Sequence, residues 1–418
     1  MQIGKLSRGV NKFGISFYNN LINELLSKGI QPFATIHHWD LPQALQDEYG
    51  GFLNPRIIDD YKDFAEVCFK EFGDRIKHWA TFNEPYTLSA WGYDTGIAAP
   101  GRCSSWMNND CPAGNSATEP YIVAQFVLLC HAQTVKLYRE KYKVSKTFTF
   151  HKHIQVFCIC KGQIGMVLIS HWFVPYLKKQ ADAKAAQWAL DFMYGWFLHP
   201  ITYGDFPKSM RALVGKHLPK FTHEESRLLK GSYDFFGVNY YTSNYAADLP
   251  SINTVNTSYS TDVQANLTTE RNGKYISDPV NGWNRRNQEI SILHNQNEGS
   301  WTNVYSSGDL LVYTKQKYKN PSIYIMKNGI GDSNITTVKQ GTNDPQREIF
   351  YRHHLLAIRE ATKDDGVNVK GFFPWSLLDN YEWGSGYTQK FGIVYVDLTD
   401  GLKRYPKKSA LWFKKFLQ

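Results

Sequence analysis

Short apolar strands alternating with longer helical patterns constrain the fold of this chain more than any other feature. FATIHHW (33–39), HWATFNEP (78–85), IGMVLISHWFVP (164–175), YDFFGVNYY (233–241), SIYIMKNG (322–329) and VKGFFPWSLLDN (369–380) read as buried strands. Helical patterns lie near 55–73, 118–142, 180–198, 307–319 and 345–364; in the first, Ile57, Ile58, Tyr61, Phe64, Ala65 and Cys68 recur on one face. Strand–helix alternation predicts parallel strands with helices outside them, and strands apolar on both faces fit that burial. Polar and aromatic residues gather at the carboxyl ends of the strands, in HHWD, FNEP, NYY and SLLDN. That is the functional end of parallel α/β folds. No Gly-x-Gly-x-x-Gly follows a first strand and no P-loop is present, which favours a barrel over a nucleotide-binding sheet. The expected fold is therefore α/β, a (β/α)8 TIM barrel with about six of its eight strands visible, over residues 1–418 as one domain.

Two segments depart from the alternation. TFTFHKHIQVFCI (147–159) is β-prone and apolar, wedged between a helix and a strand. Residues 244–300 are polar and rich in Asn, Ser and Thr, and read as a long surface excursion.

The net charge is +9, but the basic residues are scattered, which argues against a nucleic-acid partner. No run of 18 apolar residues exists, and the N-terminal MQIGKLSRGVNKFG has no signal-peptide core, so neither a membrane span nor a targeting segment is read. The last helix reads as an amphipathic cover with Trp412, Phe413, Phe416 and Leu417 inside. Aromatics make up 15% of the chain, which fits sugar-stacking surfaces or simply a large aromatic core. Cys103 and Cys111 lie eight apart in a turn-rich loop that permits a local bridge, whereas Cys158 and Cys160 match no metal or redox motif. His-rich pairs lack carboxylate or thiol partners at ligand spacing, so no metal is expected. Sequons stand at Asn256, Asn266 and Asn334.

Chemistry concentrates at strand ends. Glu84 follows a buried strand among aromatics, beside Asn83 and Pro85, a setting that suits a general acid. Taken alone, the motif fits a helix cap or a loop ion pair as readily. His38 beside Trp39 suits hydroxyl recognition. WSLLDNYEWGSGY offers Trp375, Glu382 and Trp383, an acid between indoles that can accept sugar hydroxyls while the rings stack on C–H faces; it also fits a capping loop. Lys327 at the mouth of its strand reads first as a solvating strand-end residue.

TFNEP, HHWDLPQAL, YGGF, APGRCS, GVNYYTSNY, WSLLDNYEWGSGYTQKFGIVYVD and KRYPKKSALWFK together resemble plant family 1 glycoside hydrolases of the β-glucosidase type. The resemblance runs from about residue 4 to the C-terminus. It implies a (β/α)8 barrel that hydrolyses β-glucosides with retention, through two glutamates about 5–5.5 Å apart and without a cofactor. It makes Glu84 the proton donor. It places His38, Asn83, Glu382 and Trp383 on glucose, with Trp375 as stacking floor. Tyr241 would lie beside the nucleophile, Trp301 would wall the aglycone site, and Phe391 would lie near the 6-hydroxyl. It pairs Cys103 with Cys111 in a loop disulfide. Family members are secreted, vacuolar or plastidic.

The resemblance breaks where the reaction happens. The family nucleophile stands in an (I/V)TENG motif; here the stretch reads IMKNG, with Lys327 in the glutamate's place and Met326 in the threonine's. An ammonium group has no lone pair for the anomeric carbon, and a cation opposes an oxocarbenium-like transition state. Lys390 in the KFG motif replaces the family's usual arginine. The opening GKLSRGVNKFGI resembles the family segment after the second strand, so two strands are expected to be absent from this chain; 147–159 has no family counterpart. The implied protein is β-glucosidase-like, with acid/base Glu84 kept and Lys327 at the nucleophile position, hence inactive. A non-catalytic glucoside-binding protein, or a residual glycosidase using a non-standard route, are the alternatives.

Overall fold

The structure, a computed structural model, describes residues 4–143, 148–150, 153–155, 162–249, 255–276 and 302–418. Helix α1 (Lys12–Ser27) precedes strand β1 (Phe33–His37). Helices α2 (Gln43–Tyr49) and α3 (Ile57–Phe72) lead to β2 (His78–Asn83), and α4 (Glu119–Leu137) follows. The short strands β3 (Phe148–Phe150) and β4 (His153–Gln155) pair antiparallel. They are the described part of the anomalous 147–159 segment; its other residues, Cys158 among them, lie outside the described residues, as does Cys160. Then come β5 (Gln163–Ile169), β6 (Trp172–Pro175), α5 (Gln180–Leu190), α6 (Trp196–Tyr203), α7 (Lys208–Val214), α8 (His223–Leu229) and β7 (Phe235–Asn239). Strand β8 (Ser243–Asp248), α9 (Tyr259–Asp262), β9 (Ala265–Thr268) and the two-residue strands β10 (Glu270–Arg271) and β11 (Lys274–Tyr275) come next. The rest is α10 (Thr302–Lys317), β12 (Ile323–Asn328), α11 (Val338–Thr342), α12 (Pro345–Lys363), β13 (Val369–Pro374), β14 (Val394–Asp397), β15 (Lys403–Pro406) and α13 (Lys408–Phe416).

One sheet runs β1-β2-β5-β7-β12-β13. The registers of β1 with β2, β2 with β5 and β12 with β13 are parallel. All six strands of this sheet fall at expected positions in the chain. Two expectations need correction. The 164–175 segment is two strands: β5 lies in the main sheet and β6 in a second sheet, β6-β8-β9. The break falls where the His171 N–H leaves the ladder for Met193 Sδ, at 3.4 Å. And the polar 244–300 stretch is not loop throughout, since it supplies β9 to that second sheet. No helix among the described residues is long and apolar enough to cross a membrane.

The described residues gather into two compact units. One comprises Met1–Leu168, Tyr194–Gly237 and Asn253–Asp262; the other comprises Ile169–Met193, Val238–Ile252 and Val263–Gln418. In the first, α3 shows how the pattern becomes structure. Ile57, Tyr61, Ala65, Phe69 and Phe72 are buried at helical spacing, Asp59 and Asp60 occupy the first turn and Lys70 the last, matching the helix dipole. Tyr61 stacks on Phe82 of β2 at 4.5 Å, and Phe69 meets Trp79 edge-on at 5.1 Å. Each such ring contributes about 1.5–3 kcal/mol through burial, with ~0.5–1.5 kcal/mol more from the ring pair.

α1 is the exception in this unit. It exposes Phe13 (90%), Phe17 (63%), Tyr18 (53%) and Leu21 (45%), an apolar face of the kind that drives self-association. Replacing Phe13 and Phe17 by serine is expected to shift the 418-residue chain toward the monomer in sedimentation experiments without lowering its melting temperature. A drop in melting temperature would show that both rings are packed.

In the second unit a buried ion cluster braces the chain after β12. Arg347 donates to Asp344 (2.6 Å), Asp332 (2.6 Å) and the carbonyls of Lys390 (2.7 Å) and Ile330 (2.9 Å). Burial alone would lower its pKa, but Asp332 and Asp344 outweigh it and hold the guanidinium above its ordinary value. Asp344 also accepts from the Ser409 hydroxyl and N–H, fixing the start of α13. Of the expected inner face of α13, Phe413 is buried in an apolar cluster with Ile330, Phe350, Tyr351 and Ile393, and Trp412 packs against that cluster. Phe416 and Leu417 are 54% and 77% exposed, because the helix ends there, one turn past the buried Ser409–Phe413 stripe.

Candidate active site

The residues singled out from the sequence fall into two groups, one in each unit. In the first unit, β1 and β2 run parallel with His37 opposite Phe82, so His38, Trp39, Asn83 and Glu84 emerge from the same sheet end. The Trp39 indole N–H donates to the Asn83 carbonyl at 2.9 Å. Trp39 and Glu84 both have positive φ, +70° and +45°, a strained conformation for residues with side chains that recurs at functional sites. Glu84 is 4% exposed. Its N–H donates to the Val167 carbonyl at 2.8 Å, and its carboxylate accepts from the Thr87 hydroxyl at 3.2 Å. A fixed backbone and a hydroxyl on one oxygen hold the carboxyl in one orientation, as proton transfer requires. Asn83 is buried beside it, and the half-buried His38 meets Trp39 edge-on at 5.1 Å. Its neighbour His37 points the other way, into Phe52, Tyr61 and Phe82. Burial, partly opposed by Asp40, lowers its pKa to about 4. Strand alternation separates the two histidines.

In the second unit, Lys327 is the penultimate residue of β12 and is 8% exposed. Its ammonium lies 4.1 Å from the centroid of the Trp375 ring, a cation–π contact on the ring read as a sugar floor. The backbone around it is tightly pinned. The Lys327 carbonyl accepts from the Tyr240 N–H at 3.1 Å, and the Asn328 carbonyl from the Trp375 N–H at 2.8 Å. The Asn328 amide donates to the Tyr240 carbonyl at 2.8 Å. A side chain at Gly329 would stand 2.0 Å from the Trp375 carbonyl oxygen, so only glycine permits the turn out of β12. Tyr240 is buried, whereas Tyr241 faces Phe391 edge-on at 6.5 Å. Glu382 is half-buried at the head of a tight loop, its N–H donating to the Gly386 carbonyl at 2.7 Å, and Trp383 is 41% exposed with φ +47°. The structure thus assembles Tyr241 with Phe391 and Lys327 with Trp375; Trp301 lies outside the described residues.

Below this loop Lys407 and Asp379 form a buried pair at 3.0 Å, and Asp379 also accepts from the N–H of Gly392. Burial, with Arg347 adding, pulls Lys407 down to about 8 against the pull of Asp379. Cys103 and Cys111 form a disulfide with Cα atoms 5.6 Å apart. Among the described residues no cluster of His, Cys, Asp or Glu could hold a metal ion. Sequence reasoning missed Thr87 and Asn328 as positioning residues. Their spacing from Glu84 and Lys327 is plain in the chain, but nothing there announces that Thr87 turns back onto the carboxylate.

Comparison with known proteins gives the family. The description "Glycosyl hydrolase family 1" matches residues 4–418. Beta-glucosidase 12 of Oryza sativa is 52% identical over 99% of this chain and 76% of its own length. Furcatin hydrolase of Viburnum furcatum is 54% identical over 99% and 70%. Among solved structures, a rice β-glucosidase in covalent complex with Glc from GA4GE superposes with a TM-score of 0.89 at 41% identity, covering 98% of this chain and 80% of that one. A Humicola insolens β-glucosidase in complex with glucose gives 0.88 at 34% identity, over 100% and 81%. With its strand-end carboxyl, its paired aromatics and its parallel sheet, the chain belongs to glycosyl hydrolase family 1 and is a homologue of the plant β-glucosidases on the (β/α)8 barrel fold.

Proposed function

We propose that this protein is a β-glucosidase homologue whose glucoside-recognising residues are kept and whose covalent chemistry is lost. In this reading Glu84 is the acid/base. His38, Asn83, Glu382 and Trp383 contact a β-glucoside or glucose-like ligand, Trp375 lies beneath it, and Tyr241, Phe391 and Trp301 border it. Lys327 stands where the family places its nucleophile and performs no attack. The observation that carries the reading is the Lys327 ammonium, nearly buried and 4.1 Å from the Trp375 ring centroid. A protonated amine cannot form the glycosyl bond, and its charge opposes the positive transition state instead of balancing it. Loss of one preorganised electrostatic partner slows such reactions by about 10²–10³, and a reversed sign should slow them further. Glycosylation at Asn256, Asn266 and Asn334 belongs to the same reading and requires a secretory route.

Assayed on 4-nitrophenyl β-D-glucoside beside rice Beta-glucosidase 12, the purified chain is expected to show kcat/KM lower by at least about 10³. Turnover within tenfold of the relative would overturn the proposal.

A further inference from the structure

A second feature of the first unit carries chemistry that the barrel-end residues do not use. An open cavity of about 420 Å³ is lined by Trp106, Ser105, Asn115, Thr118, His217 and Thr257, among others. None of these belongs to the candidate active site. Among the described residues no carboxylate, ammonium or guanidinium lines it, which disfavours an ion or a charged metabolite. Trp106 is 41% exposed and offers an indole face. Around it stand hydroxyl and amide groups, and Thr118, at the N-cap of α4, makes no side-chain cap bond, so its hydroxyl is not committed to the helix. An aromatic plane ringed by neutral donors and acceptors is what a sugar needs, with C–H face to the ring and hydroxyls to the rim. The volume lies within the range of about 300–1,000 Å³ typical of small-ligand sites.

The walls are preorganised. The Cys103–Cys111 disulfide staples the loop that bears Trp106. Ser104 and Ser116 exchange side-chain-to-backbone bonds of 2.9 and 3.0 Å. Arg102 grips Glu119 through two bonds of 2.9 and 2.7 Å. The 255–257 rim is anchored by Tyr259, whose N–H donates to the Ser116 carbonyl and whose ring stacks on Trp196 at 4.7 Å. A rigid wall loses little entropy on binding.

We propose that this cavity is a binding site for a neutral saccharide, with Trp106 as its stacking surface. Two sources supply that chemistry: a free oligosaccharide, or an N-linked glycan rooted at Asn256, which lies between the lining residues Val255 and Thr257. The proposal does not depend on the reading of Lys327.

Indole NMR on protein made without glycosylation, titrated with triacetylchitotriose and with cellotetraose, tests it. The Trp106 resonance is expected to shift saturably with at least one probe. Trp106→Ala should weaken binding by at least about tenfold. Thr118→Val, which keeps the ring, should weaken it less and guards against a folding defect. Glu382→Ala, at the candidate active site, should leave the Trp106 response intact. Protein from a secretory host distinguishes the sources. A Trp106 signal already shifted, insensitive to added sugar and released by Asn256→Gln, identifies the attached glycan; a signal that still responds identifies a free saccharide. No Trp106 response to either probe, together with no difference between the glycosylated protein and Asn256→Gln, would overturn the proposal.

Discussion

Exchanging Lys327 for glutamate is expected to raise kcat/KM on an aryl β-glucoside by at least about 10³ over the parent chain. The backbone needs no rebuilding for this. Asn328 and the Tyr240 N–H pin the end of β12, Gly329 allows the turn, and Glu84 is already oriented by Thr87. The exchange removes a cation from the Trp375 face and supplies an oxygen lone pair at the same strand position. Chemical rescue checks the same idea from the other side. With Lys327→Gly, azide and 2,4-dinitrophenyl β-D-glucoside, azide should attack the anomeric carbon from the vacated side as dinitrophenolate leaves, giving the α-glucosyl azide. If Lys327→Glu folds with the parent's melting temperature but gains nothing, and the glycine variant yields no azide adduct, the defect does not lie at residue 327.

The sequence was most legible where one local rule governs. Each of the six apolar segments supplied one strand of the main sheet, because a run of apolar residues bounded by turn signals is a local mark of a strand; burial varies along them, complete in β7 but absent from β13. That Glu84, Asn83 and His38 share one sheet end was legible because strand ends in a parallel sheet converge. What failed was long-range. Nothing local distinguishes the kink at Ser170–His171 from a continuous strand, since it depends on Met193 capturing an N–H. The polar 244–300 stretch hid β9, whose pairing partner β8 carries the burial. The inner face assigned to α13 overran because periodicity does not say where the neighbouring cluster ends. The disulfide came from resemblance, with a spacing that merely allowed it.

The apparent melting temperature is expected to fall by about 5 °C between pH 7 and pH 5, and the sign follows from buried histidines. His37, His171 and His354 are held near 4 and His131 near 3, all chiefly by burial. His131 bridges Thr81 and the Ser232 carbonyl at 2.7 and 2.6 Å, and the Asn244 amide donates to His171 at 2.7 Å, so each ring is built into the fold as neutral imidazole. These folded pKa values lie below the ordinary 6.5. The stability they permit is therefore complete above pH 6.5 and is lost as pH falls toward 4, because only the unfolded chain takes up the protons. By pH 5 each contributes a loss of about 2 kcal/mol. Two carboxyls act in the opposite sense. Burial, with Asp262 adding and Ser260 opposing, raises Asp94 to about 7; burial, opposed by Tyr121, raises Asp262 to about 6. These acids gain stability as pH falls through those values, together about 4 kcal/mol by pH 5, and offset roughly half of the histidine loss. His354→Leu removes one contributor while keeping the volume, and should recover about 2 kcal/mol of the pH-dependent loss. A melting temperature that stays level or rises on going from pH 7 to pH 5 would mean that the carboxyls outweigh the histidines, or that these rings are charged within the fold.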